Sequence, residues 1–485
     1  MNRKLLVASL ASVVLFQQES CASVFVEGVQ YIPNTSNEGG VANIPGEVWG
    51  RQTEIDASEP WCLYDVPAKK DDVSAKKDGV PETKIWHLKF QETKGVKVKI
   101  IGDVLPKFDR MTSLRILDLS NLDMPNVTKM NYVFCGCKNL IIVRLSNLNI
   151  QNVTDMSCMF KNCDRLKKVI LSNLNTQNVR NMSEMFSLCE SLREVILSNL
   201  NTQNVRNMSG MFYGCRSLKT LNLSNLNTQN VTNMSSMFSG GRSLETLDLS
   251  DLNTQNVTNM SRMFYWCESL REVILSNLNT QNVRNMSGMF FECNRLVTLN
   301  LSNLDTQNVT DMSRMFYGCK SLKTLDLSNL NTQNVTNMRE MFAECKGLLT
   351  LNLSHLDTQN VTDMSSMFSG CKSLITLDLS NLDTQNVGKM YSMFRNCRNL
   401  SKIDIRHFDM RTVYDVEAMF YECRSLFELQ LNEAARQRIN SRLEIATIYI
   451  FKGCQSLSSL PDIFSKNKFG KANGDADGCI NTLNQ

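Results

Sequence analysis

The apolar positions of this chain change their spacing in a fixed order. Val231, Met234, Met237 and Phe238 are separated by three or four residues, which lays them on one face of a short helical turn, with Asn233 as its N-cap. Leu244, Leu247, Leu249 and Leu252 follow as L-x-x-L-x-L-x-x-L, whose middle has the period of two that marks a short strand. Asp251-Leu252-Asn253-Thr254-Gln255-Asn256 then reads as a turn, too polar for the core and rich in side chains that bond nearby backbone. Helix and strand are thus expected to alternate once per unit. A unit this small cannot bury its own apolar stripe, so neighbouring units must stack and share one core.

The unit recurs. Phe108, Phe134, Phe160, Phe186, Phe212, Phe238, Phe264, Phe290, Phe316, Phe342, Phe368, Phe394 and Phe420 stand 26 residues apart throughout. The fold class expected is α/β: a right-handed leucine-rich-repeat solenoid with a parallel β-sheet and short helices, about 13 coils, over residues 108–433. Terminal coils need atypical caps. Trp86, Leu88 and Phe90 alternate, as do Val96, Val98 and Ile100, so 85–107 reads as an N-terminal cap hairpin. Residues 23–84 show no period and read as irregular. From 434 to 485 come an Arg-bearing helical stretch, a degenerate unit at Phe451–Leu457 and a polar tail.

Composition becomes legible through this period. Two Met lanes, Met130 to Met390 and Met159 to Met419, hold 22 of the 26 Met and serve as core filler, as the Phe lane does. Cys137, Cys163, Cys189, Cys215, Cys267, Cys293, Cys319, Cys345, Cys371, Cys397 and Cys423 form a further lane, with Gly241 in the vacant slot. In-register parallel side chains point the same way and bridge poorly, so buried reduced thiols are expected there. Cys62, Cys454 and Cys479 are the better disulfide candidates.

Charge and candidate chemistry narrow the function. The 52 Lys+Arg against 48 Asp+Glu leave a formal +4, which disfavours an electrostatically driven nucleic-acid binder. There are only 3 His, and His355 and His407 fall in the Asn lane after the strand, so no His-based triad, metal site or cofactor site is expected. Arg3 and Lys4 precede the run Leu5 to Phe16 and the small residues Ser20-Cys21-Ala22, the order of a secretory signal peptide over residues 1–22. No other apolar run reaches membrane-spanning length, so a mature chain without a transmembrane helix, secreted or on the cell surface, is expected.

The unit M-F-x-x-C-x-S-L-x-x-L-x-L-S-N-L-N-T-Q-N-V-T-N-M resembles the BspA-like leucine-rich repeat of surface and secreted proteins. That resemblance implies a leucine-rich-repeat solenoid and an association with adhesion to host proteins and cells. The expected function is therefore non-enzymatic: an adhesin-like protein binding a protein ligand on a host surface or in the extracellular matrix. The alternative is a structural envelope or matrix spacer that self-associates. Candidate partner contacts are the aromatics after the constant Phe, namely Tyr213, Tyr265, Trp266, Phe291 and Tyr317, and the acidic strand-face residues Asp326, Asp378 and Asp404.

Overall fold

A computed structural model describes residues 114–441 apart from Asn121 and Asn147, residues 450–457, Leu105 and Phe108, and short strands among the first 100 residues. The expected leader at 1–22, apart from Val14–Phe16, lies outside the described residues, as does the tail from 458. The chain forms two compact units, Met1–Val231 and Thr232–Gln485.

In the first unit a seven-stranded sheet runs in the order Glu194–Ile196, Lys168–Ile170, Ile142–Arg144, Ile116–Asp118, Ile85–Gln91, Gly40–Pro45, Gln30–Pro33. Its first six strands pair in parallel, with Leu88, Leu117, Val143, Val169 and Val195 in one cross-strand file. The β-branched and leucine residues of that file point to the core, where Leu88, Leu117, Val143 and Val169 are buried. In the second unit Thr246–Asp248 pairs with Glu272–Ile274 and Lys402–Ile405 with Glu428–Leu431, again in parallel. The chain is a parallel β-solenoid built of leucine-rich coils.

The expected short helix in each coil is instead a run of turns bonded to the next coil. In the first unit Met130, Tyr132, Phe134 and Gly136 donate backbone N–H groups to Asp155, Ser157, Met159 and Lys161 at 2.8–3.1 Å. Met312, Arg314, Phe316 and Gly318 do the same toward Asn337, Arg339, Met341 and Ala343 in the second, at 2.7–3.1 Å. Spacing explains the substitution. Stacked Phe rings repeat every 5.2–5.5 Å in the first unit and 5.4–5.9 Å in the second. An α-helix with its side chains is about 10–12 Å across and does not fit one per coil at that spacing. Turns do fit, at the cost of two left-handed residues per coil, such as Arg314 at φ 57° and Gly318 at φ 69°. Asn233 accordingly caps no helix; its Oδ1 accepts the Ser235 amide two residues on.

Inside, the Val, Met, Phe and Cys lanes are almost fully buried. One core lane is polar. Thr254, within the segment expected to be too polar for the core, is 1% exposed, and its hydroxyl donates to the Asn279 carbonyl of the next coil at 2.8 Å. Thr280, Thr306, Thr332 and Thr358 repeat the bond, which satisfies two groups at once and makes burial tolerable. Beside it an Asn ladder ties coils together: Asn282, Asn308, Asn334 and Asn360 donate to Gln255, Gln281, Gln307 and Gln333.

The N-terminal end differs from the expected hairpin. The strand Ile85–Gln91 has parallel partners on both sides, Gly40–Pro45 and Ile116–Asp118, while Val98–Ile100 pairs elsewhere, with Leu122–Asp123 and Glu54–Ile55. The strands Ile85–Gln91 and Val98–Ile100 thus belong to different sheets and do not pair with each other as a hairpin. The antiparallel pair lies one step earlier, between Gln30–Pro33 and Gly40–Pro45, in a segment expected to be irregular. At the other end the helix Glu433–Ser441 is capped by Asn432, whose Oδ1 accepts the Ala435 amide at 2.7 Å. The degenerate unit returns to register beyond it: Phe451 stacks on Phe420 at 5.5 Å and Cys454 Sγ donates to the Phe420 carbonyl.

Candidate partner-binding face

Three of the expected contact residues meet in the second unit. Tyr265, Phe291 and Tyr317 occupy one position of three successive coils, and the inter-coil turn ladder holds their backbones in register. Their rings stack face to face at 4.3 Å and 4.4 Å, tilted by only 13° and 5°. Trp266 stands beside Tyr265 at 5.3 Å and is 44% exposed, in a left-handed conformation at φ 59°. The next coil replaces Tyr317's partner with buried Ala343, which ends the stack.

Polar groups frame these rings. The Arg262 guanidinium lies 5.8 Å from the Tyr265 ring centre. Arg314 reaches Glu340 in the next coil through Nε and Nη2, at 2.8 and 3.1 Å, and Lys320 reaches Glu292 at 2.8 Å. Burial, with Glu344, Glu340 and Glu292 nearby, pushes the Tyr317 hydroxyl above the usual tyrosine range. Sequence reasoning found the rings and missed this frame, because the pairs join coils rather than positions near in sequence. Tyr213 occupies the same turn position in the first unit, where it is 41% exposed.

The acidic residues sit on the other arc of the coil and are partly committed. Asp326 and Asp378 each accept the amide of the serine two residues on at 2.9 Å, and those serines hold their carboxyls below the usual range. Asn300 and Asn352 make the same bond with Ser302 and Ser354, so the turn needs the Oδ1 acceptor and not the charge. Asp404 is paired with Arg406, whose guanidinium is the first cause of its lowered pKa. His407 accepts the same kind of structural duty, its Nε2 lying 2.7 Å from the Leu379 carbonyl.

The lane thiols are capped as well as buried. Cys345 Sγ donates to the Phe316 carbonyl at 3.0 Å and Cys397 to that of Phe368 at 3.0 Å; desolvation pushes both thiols up to about 12. The 14 described cysteines form no disulfide with one another, and Cys454, a disulfide candidate from the sequence, spends its thiol on the Phe420 carbonyl. Among the described residues no group of three or more His, Cys, Asp or Glu is placed to hold a metal ion, and no helix is long and apolar enough to cross a membrane.

Regular leucine-rich coils carrying a half-buried aromatic stack with exposed Trp266 beside it define a repeat scaffold. The chain belongs to the family described as "Mycoplasma protein of unknown function, DUF285", whose pattern matches residues 103–220, 189–295, 267–354 and 346–457. No curated protein matches the sequence. Among solved structures it is similar to a leucine-rich repeat protein from Bacteroides ovatus, at 17% identity over 89% of this chain and 92% of that one, with a TM-score of 0.39. It is also similar to the pneumococcal vaccine antigen PcpA, at 13% identity over 90% and 98% with a TM-score of 0.34, and to an internalin from Listeria monocytogenes, at 14% over 70% and 85% with a TM-score of 0.25.

Proposed function

We propose that this chain is a non-enzymatic, adhesin-like binding scaffold of the BspA-like kind, exported and secreted or displayed on the cell surface, that engages a protein of a host surface or the extracellular matrix. The observation that carries the reading is the Tyr265–Phe291–Tyr317 stack with exposed Trp266 beside it. Aromatic rings already fixed by stacking lose little side-chain freedom on binding, and Trp and Tyr dominate binding hot spots. The leader-like order of Arg3, Lys4 and Leu5–Phe16 supports export. Its test is fractionation of producing cells, with the protein expected in the medium or on the surface.

Binding is tested with the mature chain against extracellular-matrix proteins and host cells. Trp266→Ala is expected to weaken such binding by about thirtyfold, the size of a hot-spot truncation of about 2 kcal/mol, with an unchanged melting temperature. Unchanged binding would remove the aromatic anchor. Concentration-dependent self-association without partner binding would favour the spacer role instead.

A further inference from the structure

The edge of the second unit carries a ladder of cations and carboxylates that breaks at one place. Lys320 is matched by Glu292, Lys346 by Glu344 and Arg424 by Glu422. Lys320's own coil has Gly318 at the glutamate position, and Lys320 reaches back to Glu292; in the two coils between the last pairs Gly370 and Asn396 hold that position, Lys372 and Arg398 keep the cation position, and Glu344 of the coil before Lys372 is taken by Lys346. Lys372, Arg398 and the nearby Arg395 have no ion-pair partner among the described residues. Arg395 lies with its guanidinium carbon 4.9 Å from the Tyr421 ring centre, which orients it without neutralising it. The Nε of Arg398 is buried and has no acceptor, an arrangement that costs free energy until an acceptor arrives.

The rings and this edge share a lane. Arg395 stands at the coil position that Tyr265, Phe291 and Tyr317 fill, three coils beyond Tyr317, roughly 15 Å at about 4.8 Å per coil. An extended segment of about five residues covers that distance. Exposed apolar residues follow the cations closely, Ile375 after Lys372 and Phe427 after Arg424, which favours a protein partner over a polysaccharide.

We infer that Lys372, Arg395 and Arg398 form a site for the carboxylates of an acidic protein segment that lies along the same arc as the aromatic stack. The inference rests on the proposed partner-binding role of that arc, and it names the chemistry of the partner there. Guanidinium forks hold carboxylates in two-point contacts, and Asn396 supplies an uncharged neighbour in place of a competing glutamate.

The test uses the mature full chain and a hexaglutamate peptide as probe, titrated at low and at physiological salt. Weak binding at low salt is expected, lost at higher salt, and weakened about tenfold in the double variant Lys372→Gln/Arg398→Gln. Should Arg398→Gln disturb folding, judged by circular dichroism and thermal melting, Lys372→Gln/Arg395→Gln gives the same readout. Trp266→Ala is expected to leave hexaglutamate affinity unchanged, so failure of the aromatic anchor and failure of the acidic site show separately. No hexaglutamate binding at low salt, equal binding by the charge variants, or retention of a heparin oligosaccharide without hexaglutamate binding would each overturn the assignment.

Discussion

The two arcs of a coil differ in which one the backbone makes regular. The strand arc carries the leucine pattern, yet among the described residues of the second unit only four coils have strands of three or four residues there. The turn arc, with the less familiar M-x-x-M-F-x-x-C pattern, is bridged in every coil from Asn233 to Asp415. The turn arc repeats Met, Phe and Cys in the core and an Asn, Asp or Lys at each bridge, and the strand arc repeats its leucine lanes; both arcs vary only at their exposed positions. A constant core can afford variable neighbours, and the aromatics and unmatched cations sit on or beside the turn arc.

The comparison breaks most sharply in the Phe lane. Phe316→Ala removes a ring stacked on both sides, at 5.9 and 5.7 Å, and is expected to cost about 3–5 kcal/mol, read as a fall in urea midpoint. Leu325→Ala on the strand arc, at 5% exposure, is expected to cost less, about 2–3 kcal/mol. Equal losses would mean that the turn arc holds the coil no better than the strand arc.

The thiol lane adds a pH dependence confined to alkali. Cys267, Cys345 and Cys397 are each raised from 9.0 to about 12, so between those values the unfolded chain has lost protons that the folded chain keeps. Stability is then whole below pH 9 and falls as the pH rises toward 12. Urea unfolding at pH 8 and pH 10.5 should show the fall, and Cys345→Ala should flatten the slope. Native thiols should resist alkylation at pH 8 and react once unfolded.

Smaller effects sharpen how the arcs are stitched. Thr306→Val removes the hydroxyl that meets the Asn331 carbonyl and should cost about 1 kcal/mol despite its matching shape. Ser366→Gly, at φ 55°, should gain up to about 1 kcal/mol by relieving a left-handed residue, measured as a rise in melting temperature.

Much of this was legible from spacing. The 26-residue period, the burial of the Met, Phe and Cys lanes and the file from Leu117 to Val195 follow from repeated apolar positions that only stacking can bury. The aromatic residues of the stack were visible as variable positions after a constant Phe. Their frame was not, since Arg314–Glu340 and Lys320–Glu292 join residues 26 and 28 apart whose pairing depends on which coil a long side chain leans toward.

The sequence by itself determined that identical units must stack and which residues they bury, because a 26-residue stripe has no other way to leave water. Only the tertiary structure decided what each coil does with its backbone. Stacking at 5–6 Å excludes a helix that the local spacing favours and turns Asn233 from a cap into a bridge. The same stacking buries a threonine that hydropathy assigns to solvent, and leaves Lys372 and Arg398 without the ion pairs that Lys346 and Arg424 make. Each of these outcomes depends on what the adjacent coil presents, which no single unit contains.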